Sequence, residues 1–313
     1  MEARPYRAIA ALAAIAAISG CAGEQTALNS IPKAAVKAPA NHPASWMKPQ
    51  PAGQALLYVS DFFANTVNVY TYPALKPAGQ LTGFHNPTGE CTDKASNVWI
   101  ADAGDGTVYE YAHGGTSPVH TLTGMFHPQA CAINPKTGDL AVANGNVEVY
   151  EFPGGAGSPN VYRDFSFSQT YALGYDNHEN LFVDGLDTIG NFHYAELPKG
   201  AEAFTDIALN GFPVIQSAGG VQWDGAYMAV GDGIDYIYRV DSSHNVVGAT
   251  LLSNAQCTFS FYIKPRKGLG TWVVAPDQCG QNLVGVYQYP SGGTPYAALQ
   301  SGLQAPWGVA VSY

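Results

Sequence analysis

Charge is scarce in this 313-residue chain. Asp, Glu, Lys and Arg together make up 12% of it, with 14 basic residues against 24 acidic ones. A net charge of −10 without a Lys/Arg cluster argues against a nucleic-acid partner, because such binding depends on neutralising phosphates. It leaves room for cations, basic peptides or neutral ligands, although a solvated acidic surface is a sufficient explanation. No window carries a 3.6-residue apolar period, so helical repeats are excluded. After the first twenty residues no apolar run is long enough to span a bilayer. There is no Gly-x-Ser-x-Gly elbow, phosphate-binding glycine loop or His-Glu-x-x-His zinc helix. There is also no Cys-x-x-Cys or Cys-x-x-His spacing for a structural metal.

What the chain has is a repeat. LLYVSD begins at Leu56, and related strands begin at Asn97, Asp139, Asn180, Ala226 and Gly270. Each is followed by a second strand, such as TVNVYTYP (66–73) or TVYEYAHG (107–114), then by two more. The runs are short, rich in Val, Tyr, Ile, Phe and Thr, and bounded by Gly, Asn, Asp or Pro; 35 Gly and 21 Pro suit many tight turns. Four short strands in a period of about 40–45 residues are the signature of a propeller blade. Six copies predict an all-β fold: a six-bladed β-propeller of four-stranded antiparallel blades. The first blade lacks an innermost strand, and APWGVAVSY (305–313) is an innermost strand without a blade. Docking the second into the first closes the ring and leaves no long open sheet edge.

The pattern Pro306-Trp307-Gly308-Val309-Ala310-Val311, echoed in Pro87-Thr88-Gly89, is followed elsewhere by Val98-Trp99-Ile100-Ala101-Asp102 and a Val-x-Val-Tyr strand. Over about residues 56–313 this resembles an NHL-type β-propeller. The resemblance implies the fold and a ligand face over the central channel. It does not imply one activity, since the family includes hydrolases, lyases and binding platforms.

The chain starts with Arg4 and Arg7, an apolar run Ala8–Ile18, and Ile18-Ser19-Gly20-Cys21. The run is too short to span a membrane and reads as a signal peptide (1–20). Its end resembles a bacterial lipobox, with lipid expected on Cys21 and a membrane anchor thereby. The next residue is Ala22 rather than Asp, a pattern resembling that of lipoproteins sent to the outer membrane. Residues 21–54, rich in Ala, Pro, Lys and Asn, read as a flexible tether, and 55–313 as the propeller. The expected location is the cell envelope. Without the signal's net charge of +1 (Glu2, Arg4, Arg7) the remaining chain carries about −11.

Beyond Cys21 four cysteines remain, an even number that suggests two disulfides in an exported domain. In the propeller frame Cys91 and Cys131 fall at the starts of neighbouring innermost strands. Cys257 and Cys279 fall in one blade, at an innermost-strand start and a second-to-third-strand loop. The predicted pairs are Cys91–Cys131 and Cys257–Cys279.

The candidate chemistry gathers where the innermost strands begin. Asp61, Asp102, Asn144, Asp184, Asp232 and Asp277 end the second strand of each blade. They read either as an acidic ring or as acceptors for the backbone of the following turn; recurrence in every blade favours the structural role. His85 and His127 occupy equivalent entry loops, with Glu90 nearby, and are the candidates for catalysis or for a divalent cation such as calcium in the channel. Calcium-dependent lactonases of similar fold use a Glu, an Asn and an Asp. Glu90 would supply the first, but Asn134 and Asp176 lie at the opposite strand ends. Tyr171, Trp223, Phe259 and Trp307 are the ligand-binding candidates, an aromatic mouth suited to a sugar, peptide or small apolar molecule. The expected function is therefore a lipid-anchored platform binding a small molecule or an envelope protein. A metal-dependent hydrolase or lyase at the channel mouth is the alternative.

Overall fold

In the second strands of blades 1 to 5 almost every residue is buried, including all six of Leu56–Asp61 and all five of Val98–Asp102, and in blade 6 the last five of Gly270–Asp277 are. A sheet covered on both faces needs apolar side chains on both, which is why these segments read as continuous runs rather than alternating ones. The computed structural model describes residues 44–211, 215, 217–266, 270–279 and 282–313. They form six antiparallel sheets arranged as blades, with the order inner, second, third, outer in each. Blade 2, for example, runs Pro87–Thr92, Val98–Asp102, Thr107–Tyr111, Pro118–Thr123. The signal segment and Cys21 lie outside the described residues.

Six apolar clusters hold the ring, one at each junction between adjacent blades. The cluster joining blades 1 and 2 centres on Leu56, Tyr58, Val69, Leu81, Val98 and Ile100. The cluster joining blades 6 and 1 contains Val274, Val286, Val309 and Val311. A fully buried Val, Leu or Ile contributes about 1.5–3 kcal/mol, so each junction is a substantial core of its own.

The ring is closed as the sequence predicts. Pro306–Ser312 pairs with Leu56–Asp61 as the innermost strand of blade 1, in a register running from Leu56↔Ser312 to Val59↔Val309. The Pro-x-Gly motif has a steric basis at the axis, where innermost strands converge. A Cβ on Gly308 would sit 2.0 Å from the Thr88 carbonyl oxygen, and one on Gly89 would sit 2.7 Å from Ala130 Cα. Only glycine allows that approach.

Blade 1 differs from the four-stranded expectation. Trp46–Met47, within the segment expected as tether, pairs with the outer strand Pro77–Leu81 and adds a fifth strand. Gly79 permits this, because a Cβ there would lie 2.4 Å from Met47 Sδ. Among the described residues no helix is long and apolar enough to cross a membrane.

Both disulfides form as paired in the sequence. Cys91–Cys131 joins the innermost strands of blades 2 and 3, and Cys257–Cys279 ties the loop entering blade 6 to the loop after its second strand. Cys91 lies near the end of Pro87–Thr92 rather than at its start, and Cys257 precedes Tyr262–Arg266 instead of beginning it. Two disulfides mark a chain that folds in an oxidising, exported environment.

Candidate binding face

One face of the ring carries the loops that lead into innermost strands and the loops between second and third strands; it is called the entry face below. The recurrent Asp/Asn residues build it. Asp61 accepts the backbone N–H groups of Gln304 and Ala305 (2.9 and 2.8 Å), Asp102 that of His85 (3.0 Å), Asn144 that of Phe126 (2.8 Å) and Asp277 that of Cys257 (3.1 Å). Asp184 accepts from Ala172 and Gly219. These partners correct the expectation that each side chain caps only its own following turn: Asp232 does so, through Ile234, Asp235 and Tyr236, and Asp102 also accepts from Gly104 in the turn after it, but the bonds above run to incoming loops. The reason is that a strand-end side chain lies beside an incoming loop whose amides no ladder satisfies. The ring of acids is a set of staples for the entry loops. Burial pushes the carboxyls of Asp102 and Asp184 up to about 7.

The staples hold out apolar residues. Phe63, Phe126, Phe165, Ile189 and Ile234 project from entry-face loops of all blade sectors from 1 to 5, and Phe126, Phe165 and Ile189 are 69%, 77% and 82% exposed. The other exposed large apolar side chains among the described residues sit on outer strands and the rim, apart from Tyr296 and Tyr313 on the opposite face. Phe63 continues inward. It meets Phe62 edge-on (centroids 5.3 Å apart), Phe62 stacks on Trp307 (5.1 Å), and Trp307 on Phe259 (5.3 Å). A 2.6 Å hydrogen bond from Ser260 Oγ to the Trp307 carbonyl ties the loop entering blade 6 to the closing strand, the two segments that carry Phe259 and Trp307. The face is pre-organised: Asn86 spans blades 1 and 2, taking Asn65 Oδ1 on its backbone N–H and giving its amide to the Phe62 carbonyl.

Of the four predicted aromatic ligands, Trp307 and Phe259 therefore meet. Trp223 lines the central channel, a cavity of about 280 Å³. Tyr171 is half-buried and donates its hydroxyl to Gln169 at 2.8 Å.

The predicted catalytic or cation residues have separate neighbours. His85 is exposed, 3.5 Å from Asp105. His127 bonds Gln129 through Nδ1, and burial lowers its pKa, which favours the neutral ring. Glu90 lines the channel, accepts a 2.7 Å hydrogen bond from Ser60 on Oε1 and leaves Oε2 buried without a partner. Burial raises its pKa well above its ordinary value, which favours the neutral acid. It is the one carboxyl of the channel lining, whereas calcium takes six to eight oxygen ligands. Among the described residues, three potential ligand atoms come within 4.8 Å of one another only at Asp164, His193 and Asp206, on the rim of blade 4.

No family model matches the chain, and no curated protein matches it. Among solved structures it is similar to a chain of the nidogen/laminin complex, with 11% identity, a TM-score of 0.62, and coverage of 83% of this chain and 98% of that one. At that identity the likeness concerns the fold alone, and the chain is a β-propeller protein.

Proposed function

We propose that this is a lipid-anchored, NHL-type propeller of the bacterial cell envelope that holds a protein partner on its entry face. The observation that carries the reading is the apolar set Phe63, Phe126, Phe165, Ile189 and Ile234 on one face, backed by the Phe62–Trp307–Phe259 stack. Apolar side chains spread over one rigid face, rather than converging in a pocket, suit a broad protein surface. A chain of similar fold occurs in the nidogen/laminin complex, itself an assembly of proteins. The anchor reading rests on Ile18-Ser19-Gly20-Cys21 after a short apolar run, and outer-membrane sorting on Ala22.

Photo-crosslinking in cells tests the face. A crosslinker at Phe126 or Ile189 is expected to trap one discrete protein adduct, and one at Val119 or Val247 none. Phe63→Ser combined with Phe165→Ser should abolish the Ile189 adduct while leaving the melting temperature nearly unchanged, since each exposed substitution costs within about 0.5 kcal/mol. Equal adducts at all four positions, or none, would sink the reading. Separately, Cys21→Ala is expected to move the protein from the membrane to the soluble fraction and to end palmitate labelling. Unchanged fractionation would remove the anchor.

A further inference from the structure

A second cavity, about 480 Å³, opens between blades 4 and 5 on the face opposite the entry face. Its walls come from the hairpin after the innermost strand of blade 4, the third strand Phe192–Leu197, and two hairpins of blade 5. Phe182 and Tyr194 stack behind it (centroids 5.9 Å apart), with Trp223 and Tyr227 among the aromatic lining. Asp176, Glu196 and Asp241 supply three carboxylates, and no Lys or Arg lines the space.

Two of the polar groups make no hydrogen bond among the described residues. Tyr194 is 1% exposed and its hydroxyl has no hydrogen-bond partner. Leaving such a group unsatisfied costs about 1–3 kcal/mol, so it calls for an explanation. Glu196 follows two residues later in the same strand and therefore projects from the same face. Its side chain is 20% exposed, and its ion-pair neighbour, the His244 imidazole, has Nε2 3.9 Å away, beyond hydrogen-bond reach. The other two acids are occupied. Asp176 Oδ1 accepts the backbone N–H groups of His178 and Asn180, and Asp241 Oδ1 those of Ser243 and Asn245. Burial raises the Glu196 pKa, with nearby His244 pulling it down and Asp176 pushing it up. A cation beside it would favour its ionised form.

We infer that this cavity binds a primary ammonium group carried on a short carbon chain, with Glu196 as its carboxylate partner. The three acids exclude anions. A charge-assisted hydrogen bond to a mostly buried carboxylate is stronger than one in open water. The Trp223 ring supplies apolar and cation–π contact for the chain and its charged end, and Tyr227, one face of which already carries the Arg239 guanidinium at 4.4 Å, adds apolar wall. The ammonium belongs either to a free amine or to a lysine side chain of a peptide. This site is independent of the entry face and stands or falls without it.

Calorimetric titration of the full chain distinguishes the cases. The probes are cadaverine, its neutral analogue 1,5-pentanediol, and acetyl-Gly-Lys-Gly-amide. Saturable binding of cadaverine or of the peptide is expected, weakened about tenfold or more by Glu196→Gln and by exchange for the diol. Tighter binding of cadaverine assigns a free amine, and tighter binding of the peptide assigns a lysine side chain. Tyr194→Phe is expected to keep the melting temperature or raise it, because it removes an unpaired hydroxyl, and to weaken binding. No saturable heat from either amine overturns the proposal. So does amine binding unaffected by Glu196→Gln in a variant that melts like the parent, or diol binding as tight as that of cadaverine.

Discussion

Removal of residues 306–313 is expected to leave a chain without a cooperative melting transition. The deleted strand buries Val309, Ala310, Val311 and Ser312 almost completely. Its two valines alone account for about 3–6 kcal/mol of apolar burial. The ladder to Leu56–Asp61 adds hydrogen bonds worth about 0.5–1.5 kcal/mol each. Set against a total stability of roughly 5–15 kcal/mol, that loss is of the order of the whole. It also uncovers Leu56–Asp61, a strand buried along its entire length, as an open apolar edge. Near-ultraviolet circular dichroism and limited proteolysis read the result. Truncation of residues 1–54 is the contrast: within the described part of that segment the only ladder lost is that of Trp46–Met47, so the melt should persist. A truncated 1–305 chain that melts cooperatively near the parent temperature would refute closure as the source of stability.

The second large effect is one of pH. Asp102 and Asp184 are raised to about 7 by burial, and Glu90 is raised in the same direction. All three ionise near 4 in an unfolded chain, at about 3.9 for Asp and 4.3 for Glu. The folded state thus binds protons more tightly. Its advantage is fully present below pH 4 and is lost as pH rises through 7. Between pH 5.5 and 8.5 the melting temperature is expected to fall by on the order of 5–10 °C, at roughly 2–4 °C per kcal/mol for a domain of this size. Glu90→Gln, which fixes the neutral form, should raise stability at pH 8.5 and flatten the curve. Scanning calorimetry checks both. A melting temperature that climbs across this interval would mean that these carboxyls are ionised in the fold.

The blades were legible because burial on both faces writes itself into the sequence. Leu56–Asp61 and Val98–Asp102 leave no room for polar alternation, and Gly308 and Gly89 answer a collision at the axis. The disulfide partners followed from strand order alone. Trp46–Met47 was not legible, since two residues carry no period and their strand depends on a glycine in another segment. The binding face was half legible. Trp307 and Phe259 stood out as aromatics beside innermost strands, but Phe126 and Phe165 are single residues in polar loops. Only the ring puts them on one surface. The cavity around Glu196 joins positions from Asp176 to His244 that no local pattern connects. The Asp staples are visible as a recurrence, but their entry-loop partners are not, because those amides are set by topology.

The two-residue fifth strand has a mechanical consequence. A pull on the chain from its N-terminal side meets Trp46–Met47 first, at the outer edge of blade 1, and peels that ladder one pair at a time. The closing strand, at the opposite edge of the same sheet, carries none of that load until the fifth strand is gone. Each residue so released adds about 3.3–3.6 Å of slack. The edge strand therefore acts as a mechanical fuse, yielding under tension while the ring keeps its shape.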